Sequence, residues 1–99
     1  MILNVDTAAI GASAATETGI GAGLAVAASA VAEAINAVTP MGADLDSIEF
    51  AAALNAAGAA YTAVISEHVI VRNEFAGSQG VASATYLVTD AISNAALAL

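Results

Sequence analysis

Residues 50–75 read FAAALNAAGAAYTAVISEHVIVRNEF, and within them Phe50, Leu54, Ala57, Tyr61, Val64, His68, Val71 and Phe75 follow one another at spacings of four and three. On a helix of 3.6 residues per turn such positions share one face, so the stretch predicts a helix carrying one continuous, mainly apolar stripe. Ile48, Ile65, Val69 and Ile70 widen the apolar surface beyond that stripe. Asp46 with Glu49 three residues later forms a capping-box pattern that would start the helix, and Asp44 is the alternative cap.

Working back from this stretch, Thr39-Pro40-Met41-Gly42-Ala43-Asp44 contains the only proline and is the clearest break in the chain. Proline removes a backbone donor and disfavours helix at the residue before it. A first helix is expected before the break, beginning at Asp6 or Thr7, either of which can cap free N–H groups, and ending near Val38. Ile10, Leu24, Val31 and Val38 are separated by multiples of seven, and Ile20, Ala27 and Ala34 form an offset second series, which predicts a narrow seam of coiled-coil type. Glu17 interrupts that seam and reads as a frayed or solvated end. Gly19-Ile20-Gly21-Ala22-Gly23 lacks the preceding strand and following lysine of a phosphate loop. Gly19 and Gly23 read instead as positions that let another helix approach closely, at roughly 1 kcal/mol each in helix propensity.

Toward the C-terminus, Gly77-Ser78-Gln79-Gly80 is expected to loosen or end the second helix, leaving a tail that is either mobile or helical. The expected boundaries are helix 7–38, loop 39–46, helix 47–76 and tail 77–99. His68 and Arg72, one turn apart near Glu67 and Glu74, read most simply as a solvated edge with loose charge pairing. The sharper alternative is a pH-sensitive contact in a partner interface. In the tail, Tyr86 and Asp90 are four apart and share a face if the segment is helical.

Composition narrows the function. Of 99 residues, 60% are apolar and 29 are alanine, the best helix former and the smallest core filler. One basic residue against nine acidic ones gives a net charge of −8, which repels phosphate backbones, so no nucleic-acid partner is expected. There is no cysteine and only one histidine, so neither a disulfide framework nor a metal or other cofactor site is expected. A nucleophile, a base and a stabiliser of developing charge are not present in combination, and no catalytic residue is assigned. Mean hydropathy is +0.85, yet the longest uncharged run, residues 50–66, falls short of the ~18 apolar residues of a membrane span, so no transmembrane segment is expected. The first six residues, Met1-Ile2-Leu3-Asn4-Val5-Asp6, lack a basic n-region, so no cleavable Sec-type signal is expected either.

Taken together, these features resemble the mycobacterial PE family of type VII (ESX) secretion substrates, and the resemblance covers nearly the whole chain. It rests on the alanine-rich helical halves, on the Thr39–Asp44 loop followed by Ser47, and on Ala56-Ala57-Gly58-Ala59-Ala60-Tyr61 with Phe75 beyond it. It rests also on Ala84-Thr85-Tyr86-Leu87-Val88-Thr89-Asp90, which looks like the family's Tyr-x-x-x-Asp/Glu export signal. The Pro-Glu pair that names the family is replaced here around Asp6-Thr7-Ala8-Ala9, where Asp6 or Thr7 would supply the cap.

The resemblance implies an all-α fold, an antiparallel two-helix hairpin that completes a four-helix bundle with a PPE-type partner. It also implies that the partner supplies a Trp-x-Gly turn beside the export signal while a cytosolic chaperone acts through the partner's far tip. This chain has no tryptophan and fits the PE side of such a pair. The expected function is thus a non-enzymatic heterodimerisation module, cytoplasmic before export and then secreted or held at the cell surface by the ESX machinery. Tyr86 and Asp90 are the expected export signal. Ile10, Leu24, Val31, Phe50, Leu54, Tyr61, Val64 and Phe75 are the expected partner contacts. Two other classes compete: an acidic amphipathic membrane-active peptide of bacteriocin type, and a self-associating helical bundle.

Overall fold

The computed structural model describes residues 4–98, which form two α-helices and no strand: α1 (Thr7–Asn36) and α2 (Leu45–Leu97). The all-α expectation holds. α1 starts where Asp6 caps it, its carboxylate accepting the Ala9 N–H at 3.0 Å and its carbonyl accepting the Ile10 N–H at 3.1 Å. Asp44, the alternative in the sequence reading, caps α2, so this helix begins at Leu45 and the connecting loop covers residues 37–44. Its carboxylate accepts the Ser47 N–H at 3.0 Å and the Ser47 hydroxyl at 2.8 Å. These two bonds, the backbone one foremost, hold the Asp44 carboxyl below its ordinary 3.8.

The chain forms two compact units, residues 21–70 and residues 4–20 with 71–98. Residues 21–70 make a helical hairpin around the loop. α1 ends at Asn36, two residues before the expected position, because Val38 is drawn into bonds with α2 instead of the helix ladder. The Asn55 side chain accepts the Val38 N–H at 2.8 Å and donates to the Val38 carbonyl at 2.9 Å. The Asn36 side chain donates to Thr62 Oγ1 at 3.0 Å and to the Ala32 carbonyl at 2.8 Å, tying the last turn of α1 to α2. Close approach in this unit occurs at Gly58, where an added Cβ would lie 2.7 Å from the Ile35 carbonyl carbon. Within the chain, Gly19 and Gly23 do not serve that purpose, since a Cβ at either meets nothing within 4 Å.

In the other unit the start of α1 runs antiparallel to the end of α2, since falling numbers in one meet rising numbers in the other. Glu17 accepts from Arg72 at 2.6 Å, Gln79 Nε2 donates to Ser13 Oγ at 3.0 Å, and Ser83 Oγ donates to the Thr7 carbonyl at 2.7 Å. These contacts explain why α2 does not end at residue 76. It continues through Gly77-Ser78-Gln79-Gly80 to Leu97, making the tail helical, because Gln79 and Ser83 are tied to α1. Tertiary bonds override the weak local propensity. Glu17, read as a solvated end, is instead part-buried in an ion pair within the chain, and Arg72 pairs with it rather than with Glu67 or Glu74.

Candidate partner interface

α2 carries two series of residues at alternating four- and three-residue spacing, one position apart in sequence and therefore about 100° apart around the helix. The inner series turns toward α1 and is mostly small and polar, with Ile65 and Val69 as its larger apolar members. In the hairpin unit it comprises Ala51, Asn55, Gly58, Thr62, Ile65 and Val69, and in the other unit Arg72, Ala76, Gln79 and Ser83, all buried or half-buried. Ala51 and Ala76, at 4% and 6% exposure, are the buried hydrophobic residues among those described.

The outer series is the stripe read from the sequence, and it is uncovered. In the hairpin unit Phe50, Leu54, Tyr61 and Val64 are exposed, Phe50 to 63% and Tyr61 to 54%, and His68 lies among them, exposed as well. An open apolar groove of about 510 Å³ brings Leu54 and Tyr61 together with Val31, Ala34, Ile35, Val38, Ala57 and Gly58. A second hollow of about 300 Å³ near the turn shares Val38 and Leu54 with it and adds Met41, Phe50 and Asp46. Leu24 is half-buried in this unit. Met41, 98% exposed, was not singled out from the sequence as a contact, although it follows Pro40 at the turn; Asn55 and Gly58 gave no signal that periodicity would detect.

In the other unit Phe75 and Val71 are exposed and Ile10 is half-buried. Tyr86 and Asp90 stand exposed on α2, four residues apart and on one face of a continuous helix. From residue 84 to residue 98 every residue is exposed.

A two-helix chain with a small-residue seam inside, large apolar residues outside and a Tyr-x-x-x-Asp pair near its end is matched over residues 3–93 by the family model described as PE family. The chain belongs to the PE family. No curated protein and no solved structure matches it. Membership is consistent with type VII secretion and with a secreted or surface location, and the PE family is non-enzymatic. By length and composition alone, both helices of this PE protein are long and apolar enough to cross a membrane, a test that the core helix of a soluble protein also passes. The sequence reading counted only uncharged runs, whereas a span tolerates an occasional charge.

Proposed function

We propose that this PE protein is a non-enzymatic type VII (ESX) substrate that pairs with a PPE-type protein, completing a four-helix bundle and carrying the export signal at Tyr86 and Asp90. The observation that supports it is the division of labour on α2. Apart from Ile65 and Val69, the residues facing α1 are small or polar, while Phe50, Leu54, Tyr61, Val64 and Phe75 remain exposed. A side chain of that size contributes ~1.5–3 kcal/mol when fully buried, so covering the exposed half of each yields on the order of 1 kcal/mol apiece. Val31 belongs to the same groove; Ile10 and Leu24 would contribute less, being already half-covered within the chain.

Co-expression with the product of the adjoining gene, where that product has a long helical N-terminus and a Trp-x-Gly turn, is the test. The pair should co-purify, and Leu54→Asp or Val64→Asp should abolish pairing by burying an unpaired charge. Tyr86→Ala and Asp90→Ala should pair normally and stay in the cell. Retention of the complex by both Asp variants would place the interface elsewhere. The competing reading is a membrane-active chain; strong leakage of liposomes by the purified protein alone would support it.

A further inference from the structure

The seam that α2 turns toward α1 does not stop where α1 does. Arg72, Ala76, Gln79 and Ser83 succeed one another by four, three and four residues, and the next steps of three and four reach Tyr86 and Asp90. Yet the first four are buried or half-buried and the last two are exposed. The reason is that α1 has ended. Its first helical residue is Thr7, whose carbonyl accepts from Ser83 at 2.7 Å, and Asp6 closes the helix as its N-cap. At a rise of 1.5 Å per residue, Tyr86 and Asp90 lie about 4.5 and 10.5 Å beyond Ser83 along α2, with no turn of α1 opposite them. Leu87, Val88 and Ile92 project about 100° or more away from Tyr86 around the helix and belong to other faces.

Charge limits what can fill this position. Asp90 is the only charged residue after Glu74, and Asp6 is the only one among residues 4–16. The chain's one basic side chain, Arg72, is engaged by Glu17 at 2.6 Å. Among the described residues, the open end of the seam is therefore bordered by the carboxylates of Asp6 and Asp90 with no basic side chain beside them. We propose that Tyr86 and Asp90 are read by a helix of the recognising protein that lies end to end with α1, continues its seam on α2 and sets a lysine or arginine against Asp90. This rests on the reading of the two residues as the export signal. It adds that the first turn of α1 forms part of the same recognition surface.

The test lengthens α1. An alanine-rich helical insertion of about two turns, roughly seven residues, between Asp6 and Thr7 keeps the heptad phase and lays the added turns over Tyr86 and Asp90. In the co-expressed pair this variant should retain its partner and gain helicity by far-UV circular dichroism, while export falls tenfold or more, as far as with Asp90→Lys. A Gly-Ser insertion of the same length, which forms no helix, should be exported like the parent. Export of the helical variant at the parental level overturns the proposal. So does equal loss with both insertions, which would be an effect of length, or loss of pairing instead of export, which would assign the position to the partner. Normal export of Tyr86→Ala and Asp90→Ala would overturn the signal reading itself.

Discussion

Gly58 offers the most direct test of how the two helices are held together. An alanine there would place its Cβ 2.7 Å from the Ile35 carbonyl carbon, 3.2 Å from Asn36 Oδ1 and closest of all to the Ile35 carbonyl oxygen, against 3.4–4 Å for ordinary contact. The obstacle is backbone, so the helices must separate by roughly 1 Å, a strain of ~1–3 kcal/mol. Separation also stretches the Asn36–Thr62 bond and the two Asn55–Val38 bonds, now 2.8–3.0 Å long, each contributing ~1 kcal/mol. Against this stands a gain of up to ~1 kcal/mol from replacing a helical glycine. The net loss is about 2 kcal/mol or more, a fall of ~10 °C in melting temperature for a chain of this size. Gly19→Ala and Gly23→Ala receive the same propensity gain with nothing within 4 Å to oppose it, so each should raise the melting temperature by several degrees. The assay is thermal unfolding by circular dichroism, all variants and the parent being compared in the same state, alone or co-purified. A Gly58→Ala protein melting at or above the parent, or Gly19→Ala and Gly23→Ala melting below it, would refute the assignment of close approach to Gly58.

Two further outcomes follow from charged groups. Because the Glu17 and Arg72 side chains are 21% and 41% exposed, water screens their pair, and a double-mutant cycle should return a coupling below about 1 kcal/mol that weakens with added salt; a value of several kcal/mol would mean that the pair is effectively dry. For Asp44, hydrogen bonds from Ser47 favour the carboxylate in the folded chain. Its contribution is complete above the ordinary 3.8 and disappears as pH falls through the lower folded value. An Asp44→Ala chain should therefore lose less helix than the parent over that acid window, and identical acid titrations would disprove the cap's role.

Much of the fold is written in local chemistry. Alanine content, the break at Pro40 and the caps at Asp6 and Asp44 are properties of neighbouring residues, and they mark two helices and a loop. The outer stripe was readable for the same reason, since Phe50 through Phe75 repeat at helical spacing. What was not readable depended on contacts distant in sequence. Gly77-Ser78-Gln79-Gly80 looks like a helix end until Gln79 meets Ser13, 66 residues away. Glu17 looks solvated until Arg72, 55 residues on, reaches it. Gly58 is indistinguishable by pattern from Gly19 and Gly23, because which glycine faces a backbone depends on the phase of both helices. The inner seam escaped notice because Ala51, Asn55, Thr62 and Gln79 have no common hydrophobicity; they share only small size or hydrogen-bonding capacity.

The one-position offset between seam and stripe makes folding and partner binding separable, most sharply at the adjacent residues Phe75 and Ala76. Phe75 is 52% exposed and Ala76 6%, so one atom-rich side chain faces solvent where its small neighbour is buried. Ala76→Leu must push side-chain volume into a seam built for a methyl group, a strain of ~1–3 kcal/mol that should appear as a lower melting temperature of the chain itself. Phe75→Ala removes a ring of which the exposed half is left for a partner to cover. It should keep the chain helical and lower its melting less than Ala76→Leu does, while weakening a co-purified complex by ~1 kcal/mol, several-fold in Kd. Unfolding of each isolated variant followed by titration with the partner separates the two effects. If Phe75→Ala destabilised the isolated chain as much as Ala76→Leu, the ring would have to be supporting the fold from within, and the division between a small inner seam and a large outer stripe would be wrong.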